Sequence, residues 1–375
     1  MSPARSSAGA VLVTPSPAAM VWHEPGRAHE SIAVPGVELR PGEALVEVEL
    51  ATVCGSDVHT VLGHRRQPAP GVLGHEQVGR IIALGPGGAS SVDGAVLALG
   101  DRVVWTVTAS CGACERCLRG LPQKCHELRK YGHERLERGW ELSGGFATHV
   151  HLLRGTGIVR VPETMPAELA APASCSTATA VAALDAGGGA PLDGAEVLVA
   201  GAGMIGLAVT ALASAAGATV TVLDPDDVRR DTARRFGARA VLDPGDGALA
   251  GQLAAHGRSA PVLSVEASGA AGSVRALLET SEVGGTVVLV GSVSPGPSVE
   301  LDPERMVRRL LTVRGVHNYA PAHLQGAIDF LAATPGPFAA ERLVGASFPL
   351  DALDEALVAA AAGTHVRVAV DPHAR

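Results

Sequence analysis

Four cysteines crowd one short stretch of this chain: Cys111-Gly-Ala-Cys114-Glu-Arg-Cys117, then seven residues, then Cys125. Four thiolates within 15 residues supply the soft donors that tetrahedral zinc takes at about 2.3 Å, and they close its shell against water. Such a site is structural. An iron–sulfur cluster also takes four cysteines, but no electron-transfer motif accompanies these. Four unrelated free thiols are the plainest alternative.

Two cysteines remain. Cys54 opens Cys-Gly-Ser56-Asp57-Val-His59, a loop later comes Gly74-His75-Glu76, and Cys175 stands in Ala-Ser-Cys-Ser-Thr-Ala-Thr179. Taken singly, Cys54 and Cys175 read as buried apolar residues and His75 as a core histidine. Ser56, Asp57 and His59 read equally as turn formers at a strand end. The same side chains are also the ones that metal binding and proton transfer use.

A third constellation is glycine-rich. Val197-Leu-Val-Ala-Gly201-Ala-Gly203-Met204-Ile205-Gly206 runs from an apolar strand into G-x-G-x-x-G and on into a helix. The first glycine makes the turn, the second admits a pyrophosphate, and the third lets helix pack on strand. The helix N-terminus favours the phosphates. A second strand ends in Asp224, 18 residues past Gly206. A carboxylate there accepts hydrogen bonds from a ribose and repels a 2′-phosphate, which favours NAD over NADP. Arg229 reads either as a ribose contact or as part of a solvated helix face, and Arg230 beside it leaves some room for NADP.

Two patterns of elements must position these groups. Residues 44–50 alternate apolar and polar, and 78–84 and 101–107 read the same way, among loops rich in Gly and Pro. That is a β-rich region, barrel-like or sandwich-like, reaching to about 161. Near Pro172 the rhythm becomes βαβ, with strand candidates at 218–224, 261–266, 286–290 and 311–315. Helical stretches at 228–236, 273–280 and 321–333 alternate with them. The fold class is therefore α/β, with a doubly wound parallel sheet covered on both faces. Residues 365–370 form one more short strand, expected to return to the first domain.

The chain has 375 residues, 47% apolar and 18% charged, which accommodates two globular domains. Aromatics are 3%, so the core must be built from Ala, Val and Leu. A net charge of −8 excludes nucleic acid as the main partner. No apolar run reaches the roughly 18 residues of a membrane span. Residues 1–17 read as a disordered tail, because the apolar run at 8–13 is short for a secretory segment and is broken by Gly9. A cytoplasmic protein is expected, where thiols bind metal rather than cross-link.

Cys54-Gly-Ser-Asp-Val-His, Gly74-His-Glu, the cysteine lobe 111–125 and Gly201-Ala-Gly-Met-Ile-Gly stand in the order and spacing of the zinc-dependent medium-chain dehydrogenases. The chain resembles that family from about residue 18 onward. The resemblance implies a GroES-like catalytic domain over 18–176 and 317–375 carrying two zinc ions, and a Rossmann NAD-binding domain over 177–316. It implies a catalytic zinc on Cys54, His75 and Cys175 with one position open, the ligand set known from alcohol dehydrogenase. A Lewis acid there lowers the pKa of a bound alcohol and helps hydride leave for NAD. Asp57 would hold the far nitrogen of His75, Ser56 and His59 would relay the proton, and Glu76 would approach the metal when a ligand leaves. Thr179, Gly291 and Ser292 would line the nicotinamide, and Arg367 would reach the pyrophosphate. Gly55 stands where some members place a phosphate-binding arginine or histidine. Dimers or tetramers are usual in the family.

A narrower resemblance rests on residues 121–133, 142–149 and 314–319. These are similar to the phosphonate-associated alcohol dehydrogenases, which implies a small phosphonate alcohol as substrate. Fixed cations would then be needed, and His64, Arg65, Arg66, Lys130 and His133 are the candidates, the arginine fork suiting phosphonate oxygens. Arg65 and Arg66 read alternatively as an exposed loop pair. Polyol, cyclic or terpenoid, and aromatic alcohols are competing substrates. A non-catalytic nucleotide-binding protein of the same fold is the competing class, although the full set of metal and relay residues speaks against it.

Overall fold

The computed structural model describes residues 4–5, 10–189, 191–334 and 343–374. The chain divides into two compact units, Met1–Cys175 with Ala320–Arg375, and Ser176–Tyr319.

The spine of the first unit is the strand Ala44–Thr52, whose alternating sequence leaves Glu47 and Glu49 half-buried and the rest buried. It pairs antiparallel with Gln77–Leu84 and with His149–Leu152. Gln77–Leu84 passes the sheet on to Arg102–Ala109, buried over its whole length. On the other side Arg367–Asp371 returns to pair with Ala44–Thr52, Ala369 against Thr52 and Val370 against Ala51, and carries Val344–Pro349 in parallel. The cysteine lobe is the loop of a hairpin. Arg102–Ala109 leads into it and Arg129–Lys130 leads out, with Arg129 opposite Ala109 and Lys130 opposite Thr108.

Part of the expected tail is ordered. Ala10–Leu12 is a strand paired with Gly36–Glu38, and Ala4–Arg5 pairs with it in turn. Val11 stands opposite Val37 and both are buried, so an apolar run too short for a leader is long enough for one edge of a small sheet. Residues 1–3 and 6–9 of that stretch lie outside the described residues. The helix Pro321–Ala333, read above with the βαβ rhythm, belongs to the first unit. Its N-terminus comes so close that a Cβ on Gly157 would lie 2.8 Å from Pro321 Cβ and 2.9 Å from Thr106 Cγ2.

The second unit is a six-stranded parallel sheet in the order Ala240–Leu242, Thr219–Leu223, Glu196–Ala200, Leu263–Glu266, Thr286–Leu289, Thr312–Gly315. Counted within the unit this is 3-2-1-4-5-6, the doubly wound order whose switch point lies beside the first strand. That strand, Glu196–Ala200, feeds the glycine motif directly. The strand Ala240–Leu242 and the helix Leu249–Ala255 escaped the sequence reading, because three apolar residues and a short Ala-Gly segment carry no measurable period. The rare aromatics sit centrally: Trp105, Tyr131 and Phe146 are fully buried in the first unit and Phe236 in the second.

Tyr131 Oη lies 2.6 Å from Thr156 Oγ1 and accepts the Leu153 N–H at 2.8 Å. Tyr131→Phe removes that acceptor, and a loss of about 1–3 kcal/mol is expected. The measurement is the urea midpoint followed by tryptophan fluorescence, since Trp22, Trp105 and Trp140 all lie in the first unit. An unchanged midpoint would contradict this account of the Tyr131 hydroxyl.

Candidate functional site

The four lobe cysteines converge. Their sulfurs lie within 4.8 Å of one another, with Cys114–Cys117 at 3.5 Å, Cys114–Cys125 at 3.8 Å and Cys111–Cys125 at 3.4 Å. A tetrahedron of zinc–sulfur bonds has edges of about 3.8 Å, so the spread fits one ion, whereas an iron–sulfur cube would hold the sulfurs farther apart. Backbone N–H groups of Cys111 and Glu127 donate to Cys125 Sγ, and that of Cys114 donates to Cys111 Sγ. Backbone hydrogen bonds at the lobe hold the Cys114 thiol down to about 6. Burial and its sulfur neighbours push Cys117 up to about 12. Four soft sulfurs converging on one point are a donor set that fits a dication.

Cys54, His75 and Cys175 also converge, their donor atoms lying within 4.8 Å of one another. Three different elements bring them there. Cys54 caps the helix Gly55–Val61, which starts just past the strand Ala44–Thr52, and Asp57 Oδ2 accepts the Cys54 N–H at 3.0 Å. His75 enters from the loop before Gln77–Leu84, where Gly74 has φ +89° and a Cβ would lie 2.8 Å from Phe146 N. Cys175 ends a 3-10 turn whose Ser174 Oγ lies 3.3 Å from His75 O. Ser56, Asp57 and His59 are therefore on a helix rather than a turn.

His75 Nδ1 stands 3.5 Å from Asp57 Oδ1, and its Nε2 stands 3.4 Å from Ser56 Oγ. Asp57 and His75 are 2% and 3% exposed, so the pair is dry. Burial works against charge on His75, but Asp57 and Cys54 outweigh it and push the imidazole to about 10. A hydrogen bond from Cys175, helped by His75 and Arg367 against burial, holds the Cys54 thiol well below its ordinary value. The same hydrogen bond, with burial, pushes Cys175 up. His59 is exposed, one turn beyond Ser56.

Arg367 takes a partner the sequence did not indicate. Its Nε and Nη2 donate to the two oxygens of Glu76 at 2.7 and 2.9 Å, and Thr52 Oγ1 donates to the same carboxylate at 2.7 Å. Glu76 is fully buried, and burial raises its carboxyl while Arg367 opposes the rise. Arg367 and Glu76 thus hold each other, while the pyrophosphate contact of Arg367 and the metal approach of Glu76 stand as expectations from the resemblance.

Of the expected substrate cations, three come together. Arg65 Nη1 lies 3.1 Å from His133 Nε2, and His133 Nδ1 lies 2.8 Å from Tyr131 O. The carbonyl can only accept, so Nδ1 carries the proton and Nε2 accepts from Arg65. Burial first, then His75 and Lys130, holds the His133 imidazole well below its usual range. With both ring nitrogens engaged, His133 positions Arg65. Its ring lies 4.7 Å from that of His75. Lys130 is half-buried and pushed down to about 8 by burial and by Arg65. Arg66 and His64 are exposed, and His64 leans on His59 with ring centres 5.8 Å apart.

In the second unit the three motif glycines have three different reasons. Gly201 has φ +100°, and its Cβ would lie 2.9 Å from Ser268 N. A Cβ on Gly206 would overlap Gly201 O, and one on Gly203 would meet nothing, so that position is open to a ligand. Gly203 caps the helix Met204–Ala215, with Met204 buried and Ile205 half-buried. A cleft of about 1020 Å³ is lined by Gly201, Gly203, Asp224 and Arg229 on one side and by Ser268, Ser273 and Arg305 on the other. Asp224 also braces the motif, since its oxygens accept the N–H groups of Ala202 at 2.7 Å and Asp226 at 2.9 Å. Arg230 turns to Asp243 at 2.9 Å.

Thr179 is on the helix Ser176–Asp185, and Gly291 and Ser292 follow the strand Thr286–Leu289. A Cβ on Gly291 would lie 2.4 Å from Gly269 N. Glu266, unmarked in the sequence reading, is fully buried and accepts Ser268 N and Gly269 N, each at 2.7 Å, and Ser292 Oγ at 3.3 Å. Its only sequence signal was a carboxylate ending an apolar strand before Ala-Ser-Gly.

Comparison with known proteins finds two family models along the chain, the alcohol dehydrogenase GroES-like domain over residues 40–163 and the zinc-binding dehydrogenase over residues 205–333. The 5-exo-hydroxycamphor dehydrogenase of Pseudomonas putida is 29% identical over 348 residues, covering 91% of this chain and 95% of that protein. The L-threonine 3-dehydrogenase of Anaeromyxobacter dehalogenans strain 2CP-C is 31% identical over 293 residues, 76% of this chain and 78% of that protein. Among solved structures, an alcohol dehydrogenase from Thermotoga maritima superposes with a TM-score of 0.88 at 26% identity, covering 96% of this chain and all of that one (100%). A zinc-binding dehydrogenase from Sinorhizobium meliloti 1021 bound to NADP gives 0.82 at 29%, with 96% and 100% covered. By these matches, and in keeping with its two converging cysteine-containing clusters and glycine-motif cleft, the chain belongs to the zinc-dependent medium-chain dehydrogenases.

Proposed function

We propose that this chain is an NAD-linked zinc alcohol dehydrogenase interconverting an alcohol and its aldehyde or ketone. The observation that carries the reading is the meeting of Cys54, His75 and Cys175 within 4.8 Å, three donors that leave one position of a tetrahedral shell for a substrate oxygen. When bound, zinc supplies Lewis acidity and the dinucleotide supplies redox capacity.

The side chains do the rest. Ser56 Oγ, beside His75 Nε2, holds the proton of an alcohol oriented at that centre, and the exposed His59 imidazole hands it to water. Asp57 orients His75 through Nδ1. Arg367, held by Glu76, favours the thiolate form of Cys54. The lobe cysteines hold a second, structural zinc. Gly201, Gly203, Met204, Ile205 and Gly206 receive the pyrophosphate, Asp224 and Arg229 the adenosine ribose, and Thr179, Gly291 and Ser292 the nicotinamide end. The buried Asp224 carboxylate favours NAD, because a 2′-phosphate would meet like charge.

A small phosphonate alcohol is the substrate suggested by the narrower resemblance. The similarity to a hydroxycamphor dehydrogenase speaks for the competing cyclic class. A homo-oligomer, dimer or tetramer, is favoured by the edge strand Thr312–Gly315. All four of its residues are exposed, and the exposed apolar side chains Leu310 and Val293 are close in sequence or on the next loop. No helix among the described residues is long and apolar enough to cross a membrane; a cytoplasmic location is part of the proposal.

Elemental analysis of the purified protein should find two zinc ions per chain. Cys175→Ser should lose one of them with a fall in turnover of about 100-fold or more, and Cys111→Ser should lose the other. A wild-type chain with one zinc and no NAD turnover would favour the non-catalytic alternative. Asp224→Ala should lower the ratio of kcat/KM for NAD over NADP by about tenfold or more; an unchanged ratio would remove Asp224 from cofactor choice. Val313→Asp should shift the sedimentation mass towards monomer, and a wild-type chain already monomeric would end the oligomer reading.

A further inference from the structure

His151 keeps one ring nitrogen unused. It lies on the strand His149–Leu152 and is 3% exposed. Its Nε2 stands 2.9 Å from Glu43 Oε2, and the same oxygen accepts the Arg40 N–H at 2.9 Å. A carboxylate accepts, so the imidazole proton belongs on Nε2 and Nδ1 presents a bare lone pair. Among the described residues that Nδ1 is buried and has no hydrogen-bond partner. A buried acceptor left in this way is costly to keep.

His151 lines a cavity of about 20 Å³, together with Glu38 and Glu141 and with Val34, Val37 and Leu142 of a buried apolar cluster. That space holds a single water-sized particle. It lies where the small sheet of Ala10–Leu12 and Gly36–Glu38 meets the segment carrying Glu141. The polar side chains on its walls are all acceptors, one imidazole lone pair and two carboxylates, and no lysine or arginine lines it. Glu141 Oε2 accepts the Gly139 N–H at 3.0 Å, and among the described residues neither Glu38 nor Glu141 takes part in an ion pair. A water brings two protons to three acceptors and no charge to two carboxylates, whereas a divalent cation satisfies both. His75 is built alike, with Asp57 3.5 Å behind Nδ1 and the ring turned to Cys54 and Cys175. A carboxylate behind the imidazole is the arrangement that metal-ligating histidines take.

We propose that His151 Nδ1, Glu141 and Glu38 bind a first-row divalent cation, with Glu43 positioning the imidazole and water filling the rest of the shell. The ion ties the small N-terminal sheet to the strand His149–Leu152 and to the segment before it. Glu38 is exposed and Glu141 half-buried, so both carboxylates can turn in on an ion. One imidazole and two carboxylates hold an ion less firmly than thiolates do, so it exchanges, and gel filtration removes it while the cysteine centres keep zinc. Nothing in this depends on the dehydrogenase reading.

The test uses the full zinc-loaded chain and Mn(II), which stands lowest in the affinity order of these metals and leaves thiolate-bound zinc in place. Titration followed by EPR should show one Mn(II) per wild-type chain, with the nitrogen coupling of a single imidazole in the pulsed spectrum. The thermal midpoint should rise as Mn(II) is added. His151→Gln should lose the nitrogen coupling and weaken binding by about 100-fold or more, and Glu141→Gln and Glu43→Gln should weaken it by about 10- to 100-fold. Glu141→Gln changes a side chain at the surface, so it reads the site even where His151→Gln fails to fold. A wild-type chain that binds no Mn(II) at millimolar concentration, leaving the cavity to water, would overturn the site. So would Mn(II) bound without nitrogen coupling, or bound equally well by Glu141→Gln, because exposed carboxylates elsewhere would then account for it.

Discussion

Everything near the centre depends on burying several ionisable groups at one point without leaving any of them uncompensated. Cys54, His75, Asp57, Glu76 and Arg367 are interleaved by sign: carboxylate against imidazole, thiol against imidazole, guanidinium against carboxylate. An unpaired charge at such depth costs several kcal/mol, so the members stabilise one another only as a set. The sheet makes this possible. Ala44–Thr52 delivers Cys54 at one end, Gln77–Leu84 beside it carries His75 and Glu76 just before its start, and Arg367–Asp371 closes on the other side with Arg367 at its first position.

The same economy explains the cysteine lobe. As the loop of a hairpin, it would be a long, poorly anchored excursion between Arg102–Ala109 and Arg129–Lys130. Four sulfurs sharing one ion would shorten that excursion to a rigid turn, and the segment leaving it carries Lys130, Tyr131 and His133. Tyr131 is fully buried and hydrogen-bonded to Thr156 and Leu153, which anchors the strand end from below. A site called structural for its closed shell thus sets the place of groups beside the open one.

In the second unit, side chains that look like ligand contacts also hold the loops. Asp224 binds the amide of Ala202 inside the glycine motif, and Glu266 gathers the amides of Ser268 and Gly269 together with the Ser292 hydroxyl. Each carboxylate ends a strand at the switch point, where backbone N–H groups of the following loop have no strand to pair with. One negative charge therefore shapes the loop and the cleft at once.

By itself the sequence determined what is local: the spacing of the lobe cysteines, the three glycines, the period-two strands and the βαβ rhythm. These follow from short-range backbone geometry and need no distant partner. It left open, or misread, what depends on register and burial. Ala10–Leu12 becomes a strand only because Val37 faces Val11, and the His133 imidazole is held below its usual range first by burial and then by His75 and Lys130. Arg367 finds Glu76 across 291 positions of chain. That Cys54, His75 and Cys175 meet was a matter of resemblance until strand pairing placed them within 4.8 Å of one another. Distances between remote residues, and the dielectric around them, exist only once the chain is packed.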